Sequence, residues 1–196
     1  MILDAAREMF AADGVEAVTM RAIAERIEYT PTAIYHHFRD KQALLEELCY
    51  LDFRALAQAF GRIGRIEDPV ERLRRIGLAY VDFALSHPSH YRFMFMTPKP
   101  ESAYAKAEVG LGRPEEDAYA MLRDTVAEGI AAGRFRPEFT DAEELAQIMW
   151  AGVHGIASLH VVKDTKSHIA WRDARETARA MVDVMARGTR RDPPAA

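Results

Sequence analysis

The chain has 196 residues, 49% of them hydrophobic, enough to bury a sizeable core in one or two domains. Its 11 glycines and 9 prolines are too few for a low-complexity chain, and the single cysteine, Cys49, excludes a disulfide framework or a multi-thiolate metal site and fits a reducing, cytoplasmic setting. The formal net charge of −4 stands at first sight against nucleic acid, because DNA-binding chains usually carry an excess of Lys and Arg.

Apolar residues recur at three- and four-residue spacing throughout, which predicts an all-α fold of about nine helices. The opening MILDAAREMF reads as helix rather than signal peptide, and no stretch approaches the roughly 20 uninterrupted apolar residues of a membrane span, so no membrane partner is expected. Leu3, Ala6 and Phe10 mark a first helix that stops at Asp13-Gly14. Thr19 caps a short second helix that turns Ile23, Ala24 and Ile27 inward, and Thr30-Pro31 starts a short third. Asp40 opens a long fourth helix with a Cys49, Phe53, Leu56, Phe60, Ile63 stripe. Asp68-Pro69-Val70-Glu71 is a capping box opening a fifth, which His87-Pro88 ends, and a short aromatic helix follows around Tyr91 to Met96. Thr97 to Pro114 is the best loop candidate. A helix from Pro114 to Ala132, one behind the capping box Thr140-Asp141-Ala142-Glu143 running to about Val161, and a last stripe from Trp171 to Met185 ending at Gly188 complete the order. The polar tail 189–196 is expected to be disordered.

Two short helices separated by Glu28-Tyr29-Thr30 suggest a helix-turn-helix over 19–38, braced by the first helix. Ile34 and Phe38 face inward, which displays Thr32, Ala33, Tyr35 and His36. Small and hydroxyl side chains at the start of a recognition helix let it sit deep in a major groove, where Thr32 can reach a base edge and Ala33 a thymine methyl. Tyr35 and His36 can reach flanking phosphates, Lys41 can pin the backbone, and Thr19 and Thr30 put hydroxyls and free N–H groups at helix starts. Spacing alone leaves open a plain three-helix cluster whose Tyr-His-His run is a solvated face.

The run from Ile2 to Leu45, above all TMRAIAERIEYTPTAIYHHFRDKQALL, resembles the DNA-binding domain of the TetR family of transcriptional regulators. The resemblance implies a repressor that binds a palindromic operator as a homodimer and is released by a small effector. It carries Thr19, Arg21, Thr30, Thr32, Ala33, Tyr35, His36, His37 and Lys41 onto positions that commonly touch DNA in the family. Two departures stand out: Glu28 occupies the turn where the family usually has glycine, and the short basic arm common before the first helix is either absent or not part of this sequence, which opens at the helix. The implied division is a DNA-binding domain over 1–47 and an effector-binding and dimerisation domain over 48–188.

In that second part, Phe60, Tyr80, Phe83, His87, Tyr91, Met94, Phe95, Met121, Trp150 and His154 combine aromatic and methionine side chains with a few polar tips, as a pocket for a largely apolar or aromatic effector would. The same stripes also suit ordinary core. Apolar residues on two sides of the helix around residue 150 suggest one face inside the subunit and one against a second copy. The dimer candidates are Ile148, Gly152, Ile156 and Leu159, with Trp171, Ala178, Met181 and Met185 from the last helix; the alternative is a long core helix in a monomer. Tyr80 to Leu85, His87-Pro88, Met149-Trp150 and Val153 to Ala157 resemble the TetR C-terminal domains marked by a Trp…His-Gly signature.

A helical metal-binding enzyme and a scaffold without DNA are the competing readings. The seven histidines show no i, i+4 pair around a glutamate, and neither a phosphate-cradling glycine loop nor a nucleophile elbow occurs. No catalytic residue, metal or cofactor is therefore expected. Residues 1–47 hold five Lys/Arg against nine Asp/Glu, so the whole acidic excess lies in the domain assigned to DNA. Hydroxyls and helix N-termini must then supply many phosphate contacts, which predicts weak non-specific binding and a shallow salt dependence.

Overall fold

Capping side chains set where the helices begin. The computed structural model describes residues 1–113, 116–162 and 168–191, and among these the regular elements are helical, apart from an isolated bridge between Phe135 and Arg190. Helix α1 (Ile2–Asp13) stops at Gly14, whose φ of 84° suits a residue without Cβ. Thr19 Oγ accepts from the Ala22 amide (3.1 Å) to start α2 (Met20–Arg26), and Thr30 Oγ accepts from the Ala33 amide (3.3 Å) to start α3 (Pro31–Tyr35). Asp40 does the same for α4 (Lys41–Phe60) through the Ala43 amide at 2.7 Å. Helices α5 (Pro69–Ser86) and α6 (Pro88–Phe95) meet at His87, where proline interrupts the ladder. Two 3-10 turns, Glu101–Tyr104 and Ala107–Gly110, organise the expected loop before α7 (Ala118–Ala131), α8 (Ala142–Val162) and α9 (Ala174–Thr189).

Several sequence expectations shift. Helix α7 begins at Ala118 rather than Pro114, because Asp117 caps it by accepting from the Tyr119 and Ala120 amides; Pro114 itself lies outside the described residues. Asp141, not Thr140, caps α8, accepting from the Glu143 and Glu144 amides at 2.8 and 3.3 Å. At α5, Asp68 accepts from the Val70 amide, but the Glu71 carboxylate pairs forward with Arg75 at 2.6 Å instead of closing the box. Trp171 precedes α9, which Asp173 caps. Residues 189–191 are ordered against 134–136, since Arg136 N donates to Thr189 O and Arg191 N to Arg134 O; the rest of the tail, 192–196, lies outside the described residues.

The chain divides into two compact units, Met1–Ala55 with His87–Leu111, and Leu56–Ser86 with Gly112–Ala196. Packing therefore joins the 87–111 segment to the helix-turn-helix, a different partition from a cut at residue 47. In the first unit Phe10, Ile23, Ala24, Ile34, Leu44 and Leu48 are fully buried, together with Phe93 and Ala103 from the later segment. Each buried Phe, Ile or Leu contributes about 1.5–3 kcal/mol relative to exposure.

In the second unit α5, α7, α8 and α9 pack together. A Cβ at Gly77 of α5 would lie 3.1 Å from Val182 and 3.2 Å from Val153, so α5 approaches α8 and α9 closely there. The inward stripe of α8 is Leu145, Met149, Val153, Ile156 and His160; the outward one holds Ile148, Ala151, Leu159 and Val162. Among the described residues α8 is the helix long and apolar enough to cross a membrane, by length and composition alone, and its inward stripe closes the core.

Candidate nucleic-acid interface and effector-contacting residues

Helices α2 and α3 are each too short to persist alone, and the buried Ile23, Ala24 and Ile34 hold them against α1 and the start of α4. Between them the Tyr29 amide donates to Ala24 O (2.9 Å), and Glu28 takes a φ of 60°, the left-handed conformation in which glycine carries no Cβ penalty. This turn aims α3 outward. Thr32, Tyr35, His36 and His37 are exposed and Ala33 is half-buried, with His36 and His37 just past the last α3 residue. Thr19 and Thr30 are exposed at their caps, so their hydroxyls already serve one backbone amide each.

Two expected phosphate contacts are otherwise engaged. Lys41 Nζ donates to the carbonyls of Val15 (3.0 Å) and Val18 (3.2 Å), which ties the α1–α2 loop to α4 and leaves one of its three N–H donors. Arg21 Nε donates to Glu25 at 2.9 Å. Spacing missed Tyr29, which is 48% exposed beside the α3 N-cap; its sign is an aromatic residue in a turn that has no core position for it.

A buried ion pair fixes α1 to α4. Arg7 forks onto Asp52 with distances of 2.8, 2.9 and 3.1 Å and also reaches Asp4 at 2.9 Å. Burial opposes the Arg7 charge, yet the hydrogen bonds and charge of Asp52 outweigh it and hold the guanidinium pKa above its ordinary value. His90 Nδ1 of α6 lies 3.0 Å from Asp52, and the Phe93 ring stacks on Phe10 at 6.1 Å. At the end of α6, Lys99 donates to the carbonyls of Phe93, Met94 and Thr97, and burial lowers its pKa. Burial also pushes the Cys49 thiol up to about 11, so it is a poor nucleophile. A carboxylate at Asp52, three residues past Cys49 on an apolar stripe, was the available sign that a cation must meet it.

The ten residues expected to contact an effector fall into two groups. In the first unit Tyr91 and Met94 are buried, Tyr91 packs on Phe95 at 5.2 Å, and the exposed His87 has its ring 5.4 Å from His90. In the second, Phe60, Phe83 and Met121 are buried, and the Tyr80 hydroxyl and His154 Nδ1 are 2.7 Å apart. Burial lowers the His154 pKa and favours the neutral imidazole. Trp150 lies 5.7 Å from His154, and Tyr119, absent from the expected set, 5.9 Å from Trp150. Among the described residues no three metal-ligating groups converge.

Of the dimer candidates, Ile148 and Leu159 are 48% and 54% exposed on the outward stripe of α8. Ile156 and Ala178 are instead buried within the unit, at 7% and 1% exposure. Ile156 follows Ile148 by eight residues, which turns it about 80° around the helix and into the core. A Cβ at Gly152 would meet the Met185 side chain at 2.7 Å and Met181 at 3.7 Å, so these three seat α9 on α8. Trp171 lies 5.2 Å from His160. Val162 of α8 and Val184 of α9, absent from the expected set, are 56% and 66% exposed.

The family model described as bacterial regulatory proteins, tetR family, matches residues 2–48, and that described as tetracyclin repressor-like, C-terminal domain, matches residues 73–185. The chain is 28% identical to the HTH-type transcriptional repressor KstR2 of Mycolicibacterium smegmatis over 150 residues, 70% of this chain and 67% of that protein. It is 36% identical to the HTH-type transcriptional regulator UidR of Escherichia coli over 83 residues, 42% of this chain and 36% of that one. Its fold is similar to that of the TetR family regulator PfmR from Thermus thermophilus, with a TM-score of 0.73, 23% identity and coverage of 95% and 97% of the two chains.

Proposed function

Because the chain belongs to the tetR family of bacterial regulatory proteins, we propose that it represses transcription from a palindromic operator and is released by a small, largely apolar or aromatic effector. It is a helix-turn-helix transcriptional regulator, acting on this reading in the cytoplasm without a cofactor. The observation that carries the proposal is α3 itself: a capped five-residue helix with Ile34 fully buried and Thr32 and Tyr35 exposed. Residues 1–47 supply the DNA contacts, with Thr32 and Ala33 reading base edges and Thr19, Thr30, Tyr35 and His36 holding phosphates.

Ile148, Leu159, Val162 and Val184 form the apolar face that a second copy covers, rather than lipid. The two α3 helices of the dimer then address half-sites about 34–36 Å apart. The effector contacts Tyr80, Trp150 and His154, one hydrogen-bonding pair in apolar surroundings. Its binding changes the course of α4, whose Lys41–Ala55 part belongs to the DNA-reading unit, and so the spacing of the recognition helices. Such coupling is typically about 1–3 kcal/mol, or roughly 5- to 150-fold in affinity.

A gel shift with duplexes enriched from a random pool tests the reading. Tyr35→Ala is expected to weaken the enriched duplex about tenfold or more while sedimentation still finds a dimer. Absence of any sequence-selective shift by the wild type at moderate salt overturns it.

A further inference from the structure

Each of the five cations within residues 1–47 already has a partner inside the protein. Arg7 is buried on Asp52, Lys41 serves two carbonyls, Arg39 pairs with Asp40 at 3.2 Å, and Arg26 lies 3.9 Å from Glu8. Arg21, one turn before Glu25 on α2, is held by it at 2.9 Å, with both side chains largely exposed. Glu28 follows Glu25 by three residues and, among the described residues, forms no ion pair. The edge of the helix-turn-helix leading into α3 thus presents one neutralised arginine and two carboxylates. A duplex held only by its phosphates meets no unpaired cation on this edge, and sequence-independent affinity depends on such cations.

Resting on the DNA-binding reading above, we propose that Glu25 and Glu28 are specificity-setting residues: they keep Arg21 off random-sequence DNA and repel its phosphates. Only a duplex whose bases engage α3 draws Arg21 from Glu25 onto a phosphate. Discrimination then comes from penalising the wrong partner as well as rewarding the right one. Exposed ion pairs are weak enough to be exchanged in this way.

The test titrates full-length wild type, E25Q, E28Q and R21A/E25Q against a labelled random-sequence duplex and a duplex enriched from a random pool, across about 50 to 200 mM salt. On the random duplex, E25Q is expected to bind about five- to tenfold tighter at low salt, with a salt slope steeper by about 0.9, as one more phosphate is neutralised. On the enriched duplex Arg21 is already on a phosphate, so the slope stays unchanged and affinity rises only about two- to threefold. E28Q tightens the random duplex more than the enriched one, and R21A/E25Q returns to wild-type binding of random DNA. Equal slopes for wild type and E25Q on random DNA, or a gain that survives loss of Arg21, overturns the proposal alone. Failure of every variant and the wild type to bind either duplex overturns the DNA-binding reading together with it. Matching thermal melts show that the variants are folded.

Discussion

The two units use polar groups in opposite ways. The DNA-reading unit buries full charge: Arg7 and Asp52 are 5% and 1% exposed, and Lys99 is held on three carbonyls. The second unit keeps ion pairs such as Arg175–Asp82 and Arg74–Asp183 at the surface, reaches inward with Arg72 only as far as the exposed Glu128, and places a neutral tyrosine–histidine pair inside. Its helices come together through glycines, Gly77 beneath Val153 and Val182 and Gly152 beneath Met185. One unit is pinned by charge pairs that resist sliding. The other is fitted by shape around a polar spot that costs little to leave uncharged, which suits the effector site proposed for it.

The largest effect that tests this contrast comes from Asp52→Ala, which leaves the buried Arg7 with only the exposed Asp4 carboxylate as a partner. Stability is expected to fall by about 3–5 kcal/mol in urea denaturation, and replacing both partners by apolar residues should recover most of it. A neutral Asp52→Ala would remove the charge-pinned half of the comparison. In the second unit Gly129→Ala places a methyl against the Phe135 ring and is expected to cost about 1–3 kcal/mol, whereas Gly155→Ala, with nothing within 4 Å of the new Cβ, should change protomer stability by less than about 1 kcal/mol. Thr30→Ala, which removes the α3 cap, is expected to cost about 1 kcal/mol by the same measurement.

The finest effect is in pH. Burial sets the folded pKa of His154 below its ordinary 6.5, so in the window beneath 6.5 the unfolded chain binds more protons. This contribution to stability is complete above that ordinary value and is lost as pH falls from it toward the lowered pKa. Thermal melts from about pH 7.5 to 5.5 should therefore show a smaller acid-side decline in His154→Gln than in wild type. An unchanged decline would mean that the second unit's polar spot is not held neutral by burial.

Local chemistry made much of this legible in the sequence. Thr19, Thr30-Pro31, Asp40 and His87-Pro88 mark helix boundaries because each acts on amides within a few residues. Thr140 competed with Asp141 one position later, and only the packed chain selects between two adjacent caps. The outward face of α8 was half legible: Ile148 and Leu159 stood out by type, but the helical phase that sends Ile156 inward depends on α5 and α9, which sequence spacing does not contain. Tyr35 was legible as a displayed side chain. The engagement of Lys41 by Val15 and Val18, carbonyls more than 20 residues away, was not.

Phe93 and Ala103, which complete the core of the helix-turn-helix, also govern the order in which the chain can mature on the ribosome. A nascent chain that has released α1 to α4 still lacks these plugs, and stacking on Phe10 must wait for α6. Synthesis at about 5–20 residues per second makes that wait several seconds, during which Phe10 has no cover from Phe93. A fragment cut after Ala55 would keep this gap permanently. The part of the protein that is made first is finished only after α5 and α6 have emerged.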